Sequence, residues 1–121
     1  TNMKCLDTYP LIEIATCNEK FAPLLSEDFV ITDITMAEFY YALLQKYDVL
    51  TADFWYRQFE HYCIVVPRGV LIKAVKFRHD NKKKNLSFFD WVGYIFALEN
   101  NYKFLIGGKE FKDFDNVVCM D

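Results

Sequence analysis

Four carboxylates draw attention by position: Asp7, Asp33, Glu38 and Asp90. Each falls just after a short apolar run or in the first turn of a helical stretch. Carboxylates held together repel, and each raises the pKa of the others unless a cation intervenes. Clustered hard oxygen donors suit Mg2+ or Mn2+. Such a centre polarises phosphate and activates water. Each acid also has a plainer explanation. Asp7 and Thr8 can cap the next helix. Thr35-Met36-Ala37-Glu38 and Ser87-Phe88-Phe89-Asp90 both have the form of a capping box. The apolar stripe of the Glu38 helix lies roughly opposite Glu38, which turns it toward solvent. Against that, Ala37, Tyr41 and Ala42 make its own side apolar, and first-turn side chains lean toward the helix N-terminus.

These residues need elements to bring them together. Met3 to Thr8 is a short apolar run ending on a carboxylate, the pattern of a strand buried on both faces. Further strands are expected at Phe29–Thr32, Cys63–Pro67, Lys103–Ile106 and Asn116–Met120. Between them, Leu11 to Leu25 reads as one or two short helices interrupted near Pro23. Thr35 opens a long helix through Tyr47, with Met36, Phe39, Tyr40, Leu43, Leu44 and Tyr47 as its core stripe. Thr51 caps another helix, with Phe54, Trp55 and Phe59 inward. Gly69 to His79 is amphipathic, with Val70, Leu71, Ala74 and Phe77 inside. Ser87 starts a very apolar helix through Asn100, on which Asp90, Gly93, Tyr94 and Ala97 share a face. Strands alternating with helices imply a parallel sheet covered on both faces, with the first strand central. In such a sheet, strand ends and the following helix starts share one edge, where ligands bind.

The chain has 121 residues, 53% of them hydrophobic, which fits one domain spanning residues 3–121 with a substantial core. No run approaches the ~18 apolar residues of a membrane span, and no charged-then-apolar leader opens the sequence. Cys5, Cys17, Cys63 and Cys119 are unpaired in spacing; Cys5, Cys63 and Cys119 fall in expected strands, where small buried hydrophobes in a reducing cytoplasm explain them better than zinc ligands. The net charge of −3 hides an asymmetry. Residues 68–84 hold seven bases and one acid, and the remainder holds seven bases and sixteen acids. An acidic body thus carries one basic segment, which includes Lys82, Lys83 and Lys84. Acids can hold a metal and bases can hold phosphates. No glycine-rich phosphate loop follows the first strand, which disfavours a nucleotide-binding domain.

Taken in order, Cys5-Leu6-Asp7-Thr8 with Leu11-Ile12, Ile34-Thr35-x-x-Glu38, Ser87-x-x-Asp90 followed by Ala97, and Phe104-Leu105-Ile106-Gly107-Gly108-Lys109-Glu110-Phe111 resemble a PIN domain. The order and spacing match over nearly the whole chain. The resemblance implies a three-layer α/β/α sandwich with a five-stranded parallel sheet of order 3-2-1-4-5. It implies a Mg2+- or Mn2+-dependent endoribonuclease, of the kind found as VapC toxins of toxin–antitoxin pairs or in RNA processing. It carries catalytic and metal-ligand roles onto Asp7, Glu38 and Asp90. Lys82, Lys83 and Lys84, in the loop leading into the Asp90 helix, would then contact RNA. The partners it implies are RNA, an antitoxin protein and a second copy of the chain. One departure stands out: Gly108 occupies a position where the family has an acid. Glu110 or Asp113 could substitute, or the domain could bind RNA or a protein partner without cleaving.

Overall fold

The structure is a computed structural model that describes residues 3–120, so Asp121, the last residue of the expected domain, lies outside the described residues. Five parallel strands run β1 (Lys4–Leu6), β2 (Phe29–Thr32), β3 (Cys63–Ile64), β4 (Lys103–Gly107) and β5 (Val117–Met120). Their order is β3-β2-β1-β4-β5, all parallel. This is the topology implied by the resemblance, with the first strand in the centre. Cys5 sits between Val30 on one side and Phe104 on the other. The Asp7 N–H donates to the Leu105 carbonyl at 2.9 Å, which continues the β1–β4 ladder one residue past the strand.

Alternation along β1 divides the interior in two. Cys5 and Leu6 are both fully buried, but in different apolar clusters. Leu6 belongs with helices α1 (Thr8–Ala15), α2 (Asp33–Lys46) and α3 (Val49–Phe59). Cys5 belongs with α4 (Arg68–Asp80) and α5 (Phe88–Glu99). Burial pushes the Cys5 thiol far up, with the nearby Asp7 adding to the rise, so it packs as a small neutral hydrophobe.

The contact between α5 and the sheet sets the position of Asp90. Trp91 through Ala97 are all buried. A Cβ added to Gly93 would stand 2.7 Å from the Phe104 ring, so only glycine lets the helix lie this close to β4. Phe111, on the segment after β4, stacks on Tyr94 and meets Trp91 edge-on, each at 4.9 Å between ring centroids. That aromatic clamp ties the β4–β5 connection to α5.

Several local expectations are corrected. The long helix opens at Asp33, not Thr35: Thr32 is the N-cap, and its side chain accepts from the Thr35 N–H at 3.0 Å. Thr32 wins because it leaves β2 still extended, the conformation an N-cap requires. For the same reason Asp48, not Thr51, caps α3, accepting from the Thr51 N–H at 2.8 Å. Phe54 points outward, as do Tyr47 and Phe77. The third strand stops at Ile64: Val65 is 81% exposed at the sheet edge, ahead of Pro67, which has no N–H to extend a ladder. The stretch after α1 holds only a 3-10 turn, Ala22–Ser26, with Pro23 in its first turn.

Candidate active site

Asp7 is a buried carboxylate at the carboxyl edge of the sheet. It occupies the N-cap position of α1, yet its side chain makes no cap hydrogen bond. It is 4% exposed, and its Oδ1 is buried without a protein partner. A capping carboxylate would be bonded to the next turn, so the plainer explanation of Asp7 fails here. Its pKa is held well above the usual carboxylate range. Burial is the main cause, followed by the charge of Asp90 and then that of Glu38, while the Thr8 N–H offsets part of the rise. A side-chain hydrogen bond with Asp90 adds a smaller rise.

Glu38 lies six residues into α2, past the capping positions, because the helix begins at Asp33. It is half-buried, and the Thr8 hydroxyl donates to its Oε1. Burial raises its pKa and Asp90 adds to the rise, while the Thr8 hydrogen bond opposes both. Thr8 is thus a site partner, where the sequence suggests only a capping role. The adjacent Asp-Thr pair at a strand end is the one signal of it in the sequence.

Asp90 does two things at once. It completes the capping box with Ser87: its N–H donates to Ser87 Oγ at 3.1 Å, and its Oδ2 accepts from the Ser87 N–H at 2.9 Å. The same carboxyl faces Asp7. The cap and the cluster are compatible, because the cap fixes one oxygen and leaves the other. It also holds the side chain at the start of α5, where the helix dipole favours negative charge.

Asp33 does not join this group. It is exposed, and its Oδ1 accepts from the Ile34 N–H at 2.9 Å and the Val66 N–H at 3.3 Å, pinning the segment after β3 to the start of α2. Gly108 opens the turn after β4 with φ of +83°, a left-handed conformation that disfavours any side chain. A Cβ placed there would stand 3.0 Å from Glu110 Oε2, so the Glu110 carboxylate fills the space into which a residue-108 acid would grow. Glu110 Oε2 also accepts from the Lys109 N–H at 3.2 Å. Asp113 is exposed.

The donor set is what a hard dication needs: carboxylate oxygens, one of them buried and unpartnered, and charges that destabilise one another. The arrangement is loose. Among the described residues no three His, Cys, Asp or Glu side chains already stand in positions to hold a metal ion. The charges of Asp90 and Glu38 nonetheless reach Asp7 and add to the rise in its pKa. The carboxyl of Asp90 is turned to its cap and that of Glu38 to Thr8.

Lys82, Lys83 and Lys84 lie on the turn between α4 and α5, all exposed. Lys84 Nζ donates to the Glu110 carbonyl at 3.3 Å and lies 5.2 Å from the Phe114 ring centre. It therefore bridges the basic turn to the segment that follows Gly108.

No protein-family model matches the chain, and no curated protein matches its sequence. Solved structures do. VapBC2 from Rickettsia felis, bound to a DNA fragment from its promoter, superposes with a TM-score of 0.75 at 15% identity, over 98% of this chain and 97% of that one. The chain has the PIN-domain fold. A toxin–antitoxin complex from Klebsiella pneumoniae gives a TM-score of 0.74 at 16% identity, covering 95% of each chain. The VapC20 toxin of Mycobacterium tuberculosis, which cleaves the sarcin-ricin loop, gives 0.72 at 10% identity, over 98% of this chain and 89% of that one. At these identities the likeness of this chain to the toxins is one of fold. No helix among the described residues is long and apolar enough to cross a membrane.

Proposed function

We propose that the chain is a divalent-metal-dependent endoribonuclease of the toxin type, with Asp7, Glu38 and Asp90 as its metal-binding and catalytic acids. The observation that carries this reading is Asp7: a buried carboxylate, unpartnered at Oδ1, pressed against two other acids. A fold does not hold such a group for stability, because burying it unpaired costs on the order of several kcal/mol. Asp7 and Asp90 hold the cation, and Glu38 holds it or orients water. A bound Mg2+ or Mn2+ would neutralise the acids, polarise a phosphodiester and acidify a water. Thr8 keeps Glu38 aimed at the edge, and the Ser87 cap keeps Asp90 there. Glu110, reaching into the space beside Gly108, is the acid on that turn best placed to assist. Lys82, Lys83 and Lys84 contact RNA flanking the cut.

The partner reading follows the same line. Tyr41, Val49, Leu50 and Phe54 are exposed on α2 and α3. Exposed apolar side chains on these two helices support a protein interface, either with an antitoxin, as in the structural neighbours that are toxin–antitoxin complexes, or with a second copy. Four free cysteines fit a cytoplasmic setting. A second reading, a PIN domain that binds without cleaving, draws on the left-handed Gly108 where the family has an acid. A cleavage assay over a panel of structured and unstructured RNAs, with Mn2+ or EDTA, separates the two. Cleavage in Mn2+ alone, lost in Asp7→Asn, is expected. Metal-independent cleavage would contradict the first reading.

A further inference from the structure

Among the described residues, three buried side-chain nitrogen or oxygen atoms make no hydrogen bond within the protein: Asp7 Oδ1, Thr35 Oγ1 and Trp91 Nε1. The Trp91 ring belongs to the aromatic cluster under α5, where it meets Phe77, Tyr94, Phe111 and Phe114. Thr35 is on a different element, α2. It is 1% exposed. Its N–H is satisfied by Thr32 Oγ1, but its own hydroxyl is unused. A threonine inside a helix can return its hydroxyl to a carbonyl of the preceding turn, and Thr35 does not. A buried hydroxyl without a partner costs stability, so its presence calls for a cause.

Strand register and helical spacing put Thr35 beside Asp7. Lys4 pairs with Phe29 and Cys5 with Val30, so Asp7 comes level with Thr32, the N-cap of α2. Thr35 lies in the turn that follows. On α2, Ile34 packs against the cluster that holds Cys5, and Phe39 belongs to the cluster that holds Leu6. At about 100° per residue, Glu38 and Thr35 fill the arc between Ile34 and Phe39. That arc faces the end of β1, where the two clusters part and Asp7 follows. Glu38 gives the direction independently, because it accepts from Thr8, the residue next to Asp7. The other two acids are each held by one donor: Glu38 by the Thr8 hydroxyl and Asp90 by the Ser87 N–H. Asp7 Oδ1 has no such donor, and Thr35 is a donor with no acceptor.

We infer that Thr35 is a positioning residue of the acid cluster, whose hydroxyl donates to Asp7 Oδ1, directly or through one water, when Asp7 holds a cation. The inference rests on the metal-dependent reading of the site. A carboxylate must be ionised to hold a metal, and a hydrogen bond to an ionised acceptor is roughly twice as strong as one between neutral groups. The Thr35 hydroxyl thus orients one oxygen of Asp7 and leaves the other for the ion, as the Ser87 N–H does for Asp90.

The experiment is titration calorimetry with Mn2+ on the full chain as wild type, Thr35→Val and Thr35→Ser, with thermal melts of each in EDTA. Valine keeps the shape of threonine without the hydroxyl, and serine keeps the hydroxyl without the methyl. Thr35→Val should bind Mn2+ about tenfold more weakly, the loss of one hydrogen bond to a charged group, while Thr35→Ser should stay within about threefold of wild type. In EDTA, Thr35→Val should melt no lower than wild type, because the hydroxyl it removes has no partner there. A threonine that serves packing alone gives the opposite pattern, a lower melt for Thr35→Val with Mn2+ affinity unchanged. Equal affinity in wild type and a folded Thr35→Val would overturn the inference. So would a Thr35→Ser as weak as Thr35→Val, which would assign the effect to the methyl group. A Thr35→Val that melts clearly below wild type in EDTA would give the hydroxyl a partner in the metal-free protein and overturn it too. A wild type that binds Mn2+ in a Thr35-dependent way but cleaves no RNA sinks the nuclease reading and leaves Thr35 in its role. A wild type that binds no Mn2+ overturns both.

Discussion

Two like-charge clusters sit on opposite terms in this protein. The acids at the carboxyl edge are drawn into the fold, with Asp7 buried and its pKa driven up by its neighbours. The bases of the α4–α5 turn stay in solvent, where water and salt screen them. Burial makes the first cluster costly, so its persistence points to a ligand that relieves it. Exposure makes the second cluster cheap, so its charge alone points to no ligand.

The comparison breaks most easily at Asp7. Asp7→Asn should abolish Mn2+-dependent cleavage, by at least about 100-fold if the residue anchors the metal. It should also stabilise the metal-free protein. The folded pKa of Asp7 lies above its unfolded value of ~3.9, so the fold binds more protons than the unfolded chain between the two. The stability contributed by this group is full below about pH 4 and is lost as pH rises through the folded pKa. Between the two values the loss approaches about 1.4 kcal/mol for each pH unit, the linkage slope of a single proton. Thermal melts in EDTA between pH 4 and 8 should therefore show a declining contribution in the wild type that Asp7→Asn removes. A variant less stable than wild type at pH 7 would contradict a strained, unpartnered carboxylate.

Gly93→Ala probes the backbone behind the acids. The new Cβ meets the Phe104 ring, which is itself buried, so the helix must lift. A loss of about 1–3 kcal/mol is expected by denaturant melt, the usual range for overpacking, together with weaker Mn2+ binding as Asp90 shifts.

Asp90→Asn and Glu38→Gln sharpen the contrast between a residue that is both cap and site and one that is site only. Both should weaken Mn2+ binding. Asp90→Asn should also lose about 0.5–1 kcal/mol from the weakened capping box, whereas Glu38→Gln keeps an oxygen for the Thr8 hydroxyl and should melt near wild type. Equal melting temperatures for the two would show that the cap contributes nothing. The smallest effect is expected at Gly108→Asp. Its left-handed φ costs about 1 kcal/mol, and Glu110 already fills the adjoining space. Mn2+ affinity should change little there, but fall a few-fold in Glu110→Gln.

The central place of β1 is legible in the sequence because burial on both faces leaves short apolar runs, as in Cys5-Leu6 and Phe104–Ile106, whereas the full strand order is what the family resemblance implies. The close seat of α5 is legible in Gly93 and Ala97. The helix caps are not, and Thr35 and Thr51 each fall three residues past the true cap. Several polar residues in a row could each serve, and only backbone conformation chooses Thr32 and Asp48. The third strand reads too long because β-branched Val65 signals a strand wherever it lies, and edge exposure is a tertiary fact. Thr8 is hidden for a similar reason, as its partner Glu38 lies thirty residues away.

The central claim is that the Asp7, Glu38 and Asp90 cluster holds a divalent cation, and titration calorimetry with Mn2+ tests it without any knowledge of the RNA target. The account expects saturable binding in the wild type, tighter as pH rises because the ligands must lose protons, and no binding in Asp7→Asn that melts as a folded protein. Binding that survives Asp7→Asn unchanged, or no heat from the wild type at any pH between 6 and 8, would contradict it.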